Sequence, residues 1–240
     1  MSKKNEVVET KTTEVAAPIN MNEWGDVAVE SKDLILPKIL LQQAMSEAVK
    51  ERTARDGDYL NTLLSTVCSN EKGEVAVLPF FCRQSYVVEK FNGRKFEYLR
   101  TDPYIVGEQA RPWEEEIGGV KYKNVHVYEF FCLTEEGGLP AIVPFKSTSH
   151  KTGKKLFNIM YVANKQMGKA PAHNWIVLGR KEDSNESGDK YWVMDIAVGR
   201  VSTKEEIAEC LSWIRTIKES NVSAVEERPS TTTAQQETRF

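Results

Sequence analysis

Side chains that can bind an anion are concentrated in residues 137–181 of this chain. This stretch carries eight Lys and Arg residues and no Asp or Glu, a formal charge of +8 in a chain whose net charge is −3. The other 195 residues therefore carry −11. A basic surface on an otherwise acidic protein indicates a polyanionic partner. The open alternative is a lysine-rich helix whose charges only face solvent.

Aromatic residues are interleaved with these charges. Proteins that bind single-stranded nucleic acid commonly have this combination, because cations bind the phosphates and aromatic rings stack on the unpaired bases. Phosphate contacts are predicted for Lys146, Lys151, Lys154, Lys155, Arg180 and Lys181. Base stacking is predicted for Tyr128, Phe130, Phe145 and Trp175. The competing interpretation is that these rings form the core, since an aromatic row on one face of a strand is often the buried face.

Motifs of catalysis and cofactor binding are missing from the sequence. Gly153-Lys154 is not a phosphate-binding loop, because the earlier glycine is missing and Lys155 replaces the Ser or Thr. Dinucleotide-binding, nucleophile-elbow and zinc-protease patterns do not occur either. The histidines, interpreted as structural or surface residues, are His126, His150 and His173. We therefore expect no catalytic residues, no metal and no cofactor.

The cysteines and the N-terminus bear on the cellular compartment. Four scattered cysteines form no CxxC pair and are interpreted as buried, reduced thiols; they are Cys68, Cys82, Cys132 and Cys210. The N-terminus lacks the apolar region of a secretory signal, and no apolar run reaches the roughly 20 residues of a membrane span. These features predict a cytoplasmic protein that does not enter a membrane.

The chain divides into one domain and two polar ends. Residues 1–30 are predicted to be a disordered arm, and residues 221–240 a disordered tail that ends in Phe240. The domain, residues 31–220, opens with an extended segment around Pro37 and has a hairpin turn at Asn92-Gly93. Strands are predicted over 59–67, over 74–91 with a break or bulge at Pro79, and over 96–100. A loop over 101–119 is followed by strands over 120–134 and 139–146, a helix over 147–168, strands over 173–181 and 190–200, and a helix over 203–220.

Two patterns refine the predicted helices. Leu156, Ile159, Met160, Ala163 and Met167 recur at helical spacing and predict the buried stripe of the first helix. Ser202-x-x-Glu205 matches a capping box at the start of the second helix. In the strand over 190–200, the alternating residues Trp192, Met194, Ile196 and Val198 are predicted to face inward.

This order of elements predicts a mostly β fold with α. A Greek-key barrel with a helix between its third and fourth strands has this pattern, which is that of the OB-fold. A C-terminal amphipathic helix is added to it. The alternative architecture is an α+β sheet with two helices on one side.

Several stretches of the domain carry a family resemblance. They are DLILPKILLQQAMSEAV at 33–49, GDYLNT at 57–62 and LPAIVPFKSTSHKTGKKLFN at 139–158, together with the terminal Phe. Over about residues 33–220 the chain resembles phage-encoded single-stranded DNA-binding proteins of the OB-fold type. The resemblance implies non-enzymatic binding of single-stranded DNA in phage replication or recombination, in the host cytoplasm. It also implies that the tail recruits replication or recombination proteins, although Arg228 and Arg239 depart from the acidic pattern of such tails.

Two other functions compete with this interpretation. The 101–119 segment with Trp113 is consistent with a protein–protein interaction module, such as a virion or host-inhibitor protein without nucleic-acid binding. An enzyme of nucleic-acid metabolism is the third hypothesis, because acidic residues distant in sequence can converge in a fold.

Overall fold

The computed structural model describes residues 35–135 and 139–220, which belong to one compact unit. The strands are β1 (Ile39–Leu41), β2 (Tyr59–Asn61), β3 (Thr66–Val67), β4 (Val75–Phe91), β5 (Phe96–Pro103), β6 (Glu114–Ile117), β7 (Val120–Thr134), β8 (Ala141–Phe145), β9 (Asn174–Ser184) and β10 (Lys190–Val201). The helices are α1 (Glu47–Lys50), α2 (His150–Lys165) and α3 (Lys204–Ser220), with a 3-10 turn at Ser147–Ser149 before α2. The predicted mostly β fold with α is confirmed.

Parts of the sequence prediction lie outside the described residues. They are the arm at 1–30, the first four residues of the domain (31–34), the first two residues of the basic stretch (137–138), and the tail at 221–240 with Phe240. Among the residues that the structure describes, no helix has the length and apolar character needed to cross a membrane.

The long antiparallel pair β4–β7 is the centre of the main sheet. Along the free edge of β7, β6 pairs near its start and β8 near its end. Along the free edge of β4, β9 pairs near its start and β5 near its end. β10 pairs with β9, so one end of the sheet contains the five strands β10-β9-β4-β7-β8. The other end is a smaller ribbon of β5, β4, β7 and β6.

The chain before α1 closes the gap between β8 and β10. In this closing segment, residues 36–43, the Pro37 carbonyl accepts a hydrogen bond from the Ile142 amide of β8 (2.8 Å). Gln43 binds β10: its Nε2 donates to the Trp192 carbonyl (2.8 Å), and its Oε1 accepts from the Trp192 amide (2.9 Å). The Gln43 side-chain amide thus makes the two hydrogen bonds to β10 that the backbone of a neighbouring strand would make. Because the closing segment contacts both β8 and β10, the curled sheet is barrel-like.

Two apolar cores lie on opposite faces of the curled sheet. The interior core includes Tyr59, Tyr128, Phe130, Phe145, Leu156, Ile176 and Met194. The outer core, which α3 covers, includes Leu78, Phe80, Phe131, Ile142, Trp175, Cys210 and Ile217. Because both faces of the sheet are buried, β4 and β7 carry large apolar side chains on both faces, and successive side chains point into opposite cores.

Helix α2 seals one end of the interior core. Leu156 is fully buried there. Gly153 lies so close to the sheet that a Cβ on it would be 2.5 Å from Phe145 Cβ and 3.3 Å from Tyr128 Cβ. The glycine therefore permits α2, which begins at His150, to approach the sheet closely. The opposite face of α2 is left to solvent.

The acidic run of the predicted loop is a strand. β6 pairs with β7, placing Glu114 beside Lys123 and Glu116 beside Lys121. Opposite charges in register favour the pairing. Gly118 and Gly119, both at positive φ, form the turn between these strands. The prediction of a loop over 101–119 was therefore wrong for residues 114–117, and also for residues 101–103, which belong to β5.

The capping box of α3 lies one residue later than predicted. The Thr203 amide donates to Glu206 Oε2 (2.7 Å), and the Glu206 amide donates to Thr203 Oγ1 (3.2 Å). The Ser202 hydroxyl is buried and donates to the Ala172 carbonyl instead. Neighbouring Ser and Thr residues made both registers possible, and burial of Ser202 selects the second.

Candidate nucleic-acid interface

Three of the predicted phosphate-binding lysines lie together on α2. Lys151, Lys154 and Lys155 are three and four residues apart, a spacing that places them on one face of a helix. All three are exposed. Lys169, just after the helix, completes a rim around a groove of about 650 Å³. The structure thus brings part of the basic stretch together at one site.

The groove lies between α2 and the adjoining ends of β9 and β10. Its apolar floor consists of Ile159, Val162, Ala163, Met167 and Val198. Asn158, His173 and Asn174 add polar side chains, and no acidic residue is among the described residues that line it. The site therefore combines positive charge, exposed apolar surface and amide groups.

Two residues of the floor contradict the sequence prediction. Met167 was predicted in the buried stripe but is 59% exposed. Helix α2 ends at Lys165, so the helical period no longer applies at Met167. Val198 was predicted to face inward and is 57% exposed, because it lies near a bulge between Val198 and Val201 where the alternation of β10 is interrupted.

The charges of the groove lysines are not neutralised by nearby acids. Ion pairs elsewhere in the structure include Arg83–Glu129, Lys95–Glu97, Arg100–Asp102, Arg111–Asp102, Lys190–Glu182 and Arg200–Glu206. Within residues 35–135 and 139–220, none of Lys151, Lys154, Lys155 and Lys169 belongs to such a pair. Their positive charge is therefore available to a ligand.

The remaining predicted cations lie apart from the groove. Lys146 is exposed just before the 3-10 turn, and Lys181 is exposed on β9. Arg180 is held in place: its Nη1 lies 3.5 Å from Asp58 Oδ1, and its guanidinium lies 4.9 Å from the centre of the Trp192 ring. These contacts give Arg180 a structural role in the middle of β9, whereas the groove lies at the start of that strand. Its predicted phosphate contact stays a prediction.

The four rings predicted to stack on bases are all buried. Tyr128, Phe130 and Phe145 belong to the interior core, and Trp175 belongs to the outer core. The Trp175 Nε1 donates to Glu206 Oε2 (3.2 Å), which fixes the ring against α3. A stacking residue needs an exposed ring face. The alternative that these rings form the core is therefore the correct one.

An exposed aromatic residue beside the groove was not selected from the sequence. Tyr161 is 53% exposed on α2, three residues after Asn158. Its ring stacks on Phe157 at 6.4 Å between ring centres, and Phe157 in turn contacts Tyr128 at 5.9 Å. The spacing of Phe157 and Tyr161, four residues apart, is the signal that could have identified this pair.

Two histidines join the start of α2 to β7. His150 Nε2 lies 2.9 Å from His126 Nδ1, so one ring donates a hydrogen bond to the other. Burial of the ring and, to a smaller extent, the nearby His150 lower the pKa of His126 to about 4. Burial, and then Lys154, lower the pKa of His150. Both rings are therefore neutral at pH 7, as structural histidines.

The described residues contain no group of three or more His, Cys, Asp or Glu placed to hold a metal ion. Burial, and then Glu129, raise the pKa of the Cys82 thiol to about 12. Burial also raises the pKa of Cys132. These thiols are protonated at neutral pH, whereas a metal ligand or nucleophile is a thiolate.

Comparison with known protein families identifies a family for most of the chain. The model of the Pam3 phage gp34-like protein family matches residues 8–222. The chain belongs to this family. No curated protein and no solved structure matches it. Membership of the gp34-like family agrees with the phage part of the resemblance. The single-stranded DNA and OB-fold parts of that resemblance stay predictions for this gp34-like protein.

Proposed function

We propose that this gp34-like protein is a non-enzymatic binder of single-stranded DNA, acting in phage DNA replication or recombination in the host cytoplasm. The observation that carries the proposal is the groove on α2, whose four rim lysines are unpaired among the described residues and surround an apolar floor. Single-stranded DNA offers the matching chemistry, since its phosphates are anionic and its unpaired bases have apolar faces.

The connectivity of the strands supports the proposal. Around the curled sheet the order is β4-β7-β8, then the closing segment, then β10-β9 and β4 again. Helix α2 connects β8 to β9. An OB-type Greek key has a helix between its third and fourth strands and commonly binds oligonucleotides. The closing segment between β8 and β10 is an addition to that pattern.

The groove predicts how salt affects binding. If the rim lysines neutralise about four phosphates, the slope of log K against log salt on a single strand is about −2.8, at about −0.7 per phosphate. A polyanion-binding surface without base contacts would have a salt slope too, so the comparison with duplex DNA is also needed.

The direct experiment is a fluorescence-polarisation titration with labelled oligo-dT and with a matched duplex, over a series of salt concentrations. The proposal expects tighter binding to oligo-dT than to the duplex, with a salt slope close to the value above. An absence of binding to oligo-dT at low salt would refute the proposal.

A second candidate function uses the ribbon end of the sheet. Large apolar side chains are exposed there: Tyr98, Leu99, Ile105, Val106, Trp113 and Ile117. An exposed apolar patch of this kind is typical of a protein–protein interface. The ribbon therefore supports the alternative of an interaction module. Replacing Val106 and Ile117 by Ser tests it: loss of a partner without any change in binding of oligo-dT would favour this candidate.

A further inference from the structure

The apolar floor of the groove has no explanation in charge alone. Val162, Met167 and Val198 expose 38%, 59% and 57% of their surface within the ring of lysines. Phosphate groups would bind the lysines without needing apolar surface below them. A floor that stays apolar and exposed next to cations indicates a ligand that is apolar between its charges.

The groove also contains polar side chains without partners. Among the residues described, the side chains of Asn158, His173 and Asn174 have no hydrogen-bond partner, although His173 and Asn174 are half-buried. Asn offers both a donor and an acceptor, and the imidazole ring of His offers a donor. The edges of an unpaired nucleobase present donors and acceptors that such groups can bind.

We propose that the floor of this groove is a nucleobase subsite, and that it makes binding selective for single strands. This inference rests on the proposed function. In a single strand a base can turn away from its neighbours and lie on Val162 and Met167 while its phosphates contact Lys154 and Lys155. In a duplex the bases are paired and stacked, so their faces cannot lie on the floor of the groove. The lysine rim therefore supplies affinity, and the floor supplies the preference.

An amphipathic acidic peptide is the competing occupant. It would also place apolar side chains on the floor and carboxylates at the lysines. The charge distribution favours the nucleic acid, because a further exposed lysine, Lys165, lies on α2 beyond the rim. A polyanion longer than the groove uses this further charge, whereas a peptide with its charges on one helical face does not.

The test compares oligo-dT with an abasic deoxyribose-phosphate strand of equal length, which has the same charge and lacks bases. The floor variant is Val162→Ser with Met167→Ser, and Met167→Ser alone avoids any change within α2. The matched control is Ile117→Ser with Val201→Ser, which removes exposed apolar side chains outside the groove. Circular dichroism and thermal melting verify folding.

We expect the wild type to bind oligo-dT roughly 5- to 100-fold more tightly than the abasic strand. The floor variant should lose most of this difference and bind the abasic strand within about twofold of the wild type, while the control changes neither. Equal binding of the two strands by the wild type would overturn the subsite and leave the proposed function standing. A floor variant that binds both oligo-dT and the abasic strand more weakly by the same factor would also overturn the subsite. Floor-dependent binding of an amphipathic Glu/Leu peptide, tighter than that of oligo-dT, would assign the groove to a peptide. Binding of neither strand at low salt would refute the proposed function itself.

Discussion

His150 Nε2 and His126 Nδ1 are 2.9 Å apart, and this contact fastens the first turn of the lysine-bearing helix α2 to strand β7. The rings of Tyr104 and Tyr128 lie against His126, with ring centres 5.0 Å and 4.8 Å away. A hydrogen bond between two imidazoles requires that at least one of them be neutral, because a protonated ring has no acceptor nitrogen. Protonation of both rings would place two positive charges in contact next to Lys154.

The first prediction concerns pH. The pKa of His126 is lowered in the folded protein from 6.5 to about 4, so the unfolded chain binds more protons between these values. The stability contributed by the neutral ring is complete above about pH 6.5 and is lost as the pH falls towards 4. We therefore expect the melting temperature to decline over this window and the decline to be smaller in His126→Gln. Thermal melts from pH 8 to pH 4 measure it.

Glu206 provides an internal reference for this experiment. The pKa of the Glu206 carboxyl is lowered from 4.5 to about 2, chiefly by the hydrogen bond from Arg200. The stability contributed by the ionised carboxylate is complete above about pH 4.5 and is lost as the pH falls towards 2. The variant Glu206→Gln should therefore leave the decline between about pH 6.5 and pH 5 unchanged and alter only the profile below about pH 4.5. Identical pH profiles for the wild type and His126→Gln would contradict the role given to the histidine pair.

The second prediction concerns Gly153. Alanine is the better helix former by about 1 kcal/mol, yet its Cβ would meet Phe145 Cβ at 2.5 Å. Overpacking of a close contact costs about 1–3 kcal/mol, so the steric effect should outweigh the helix propensity. We expect Gly153→Ala to lower the free energy of unfolding in urea. Lys165→Ala, on the exposed end of the same helix, is the control. A stabilised Gly153→Ala protein would show that α2 does not approach the sheet so closely.

The third prediction concerns closure of the sheet. The Gln43 side chain is bound to both backbone groups of Trp192, at 2.8 Å and 2.9 Å. Gln43→Ala would leave a donor and an acceptor without partners, at a cost of about 1–3 kcal/mol. We expect lower stability and faster hydrogen exchange at the Trp192 amide. Gln166→Ala, an exposed residue after α2, should change neither quantity. Unchanged exchange at Trp192 in Gln43→Ala would mean that Gln43 does not close the sheet.

The fourth prediction concerns Tyr161. Its exposed ring, stacked on Phe157 beside the groove, is the aromatic side chain of α2 best placed to stack on a base. We expect Tyr161→Ala to weaken oligo-dT binding by about 1–3 kcal/mol and Tyr161→Phe to keep it, because stacking uses the ring and not the hydroxyl. Tyr98→Ala removes an exposed tyrosine of the ribbon and is the control. Equal effects of the two alanine variants would argue against a role specific to Tyr161.

The sequence predicted the elements better than it predicted which face of each would be buried. The strand over 120–134 matches β7 in full, since its fifteen residues are rich in Val, Tyr and Phe and contain no Gly or Pro. Alternation shows that Tyr128 and Phe130 share a face, but it does not show whether that face meets solvent or the core. That depends on α2 and on distant strands. The same limit applies to Phe145 and Trp175.

The candidate site was predicted in part. Lys151, Lys154 and Lys155 share a face because helical spacing is local. Arg180 was predicted to bind phosphate only because of its charge. Its partners Asp58 and Trp192 are distant in sequence, so these contacts could not be predicted. The groove itself could not be predicted, since its second wall belongs to β9 and β10.

The most direct test of the central claim is charge reversal at the groove rim. Oligo-dT binding is measured over a salt series for the wild type, for Lys154→Glu with Lys155→Glu, and for the control Lys50→Glu with Lys72→Glu. The control makes the same change of net charge at exposed positions outside the groove. We expect the rim variant to lose most of its affinity and its salt slope to become shallower by about 1.4, the value for two phosphates, while the control stays close to the wild type. Unchanged affinity and slope in the rim variant would contradict the central claim, and the lysines of α2 would then be only a solvated surface.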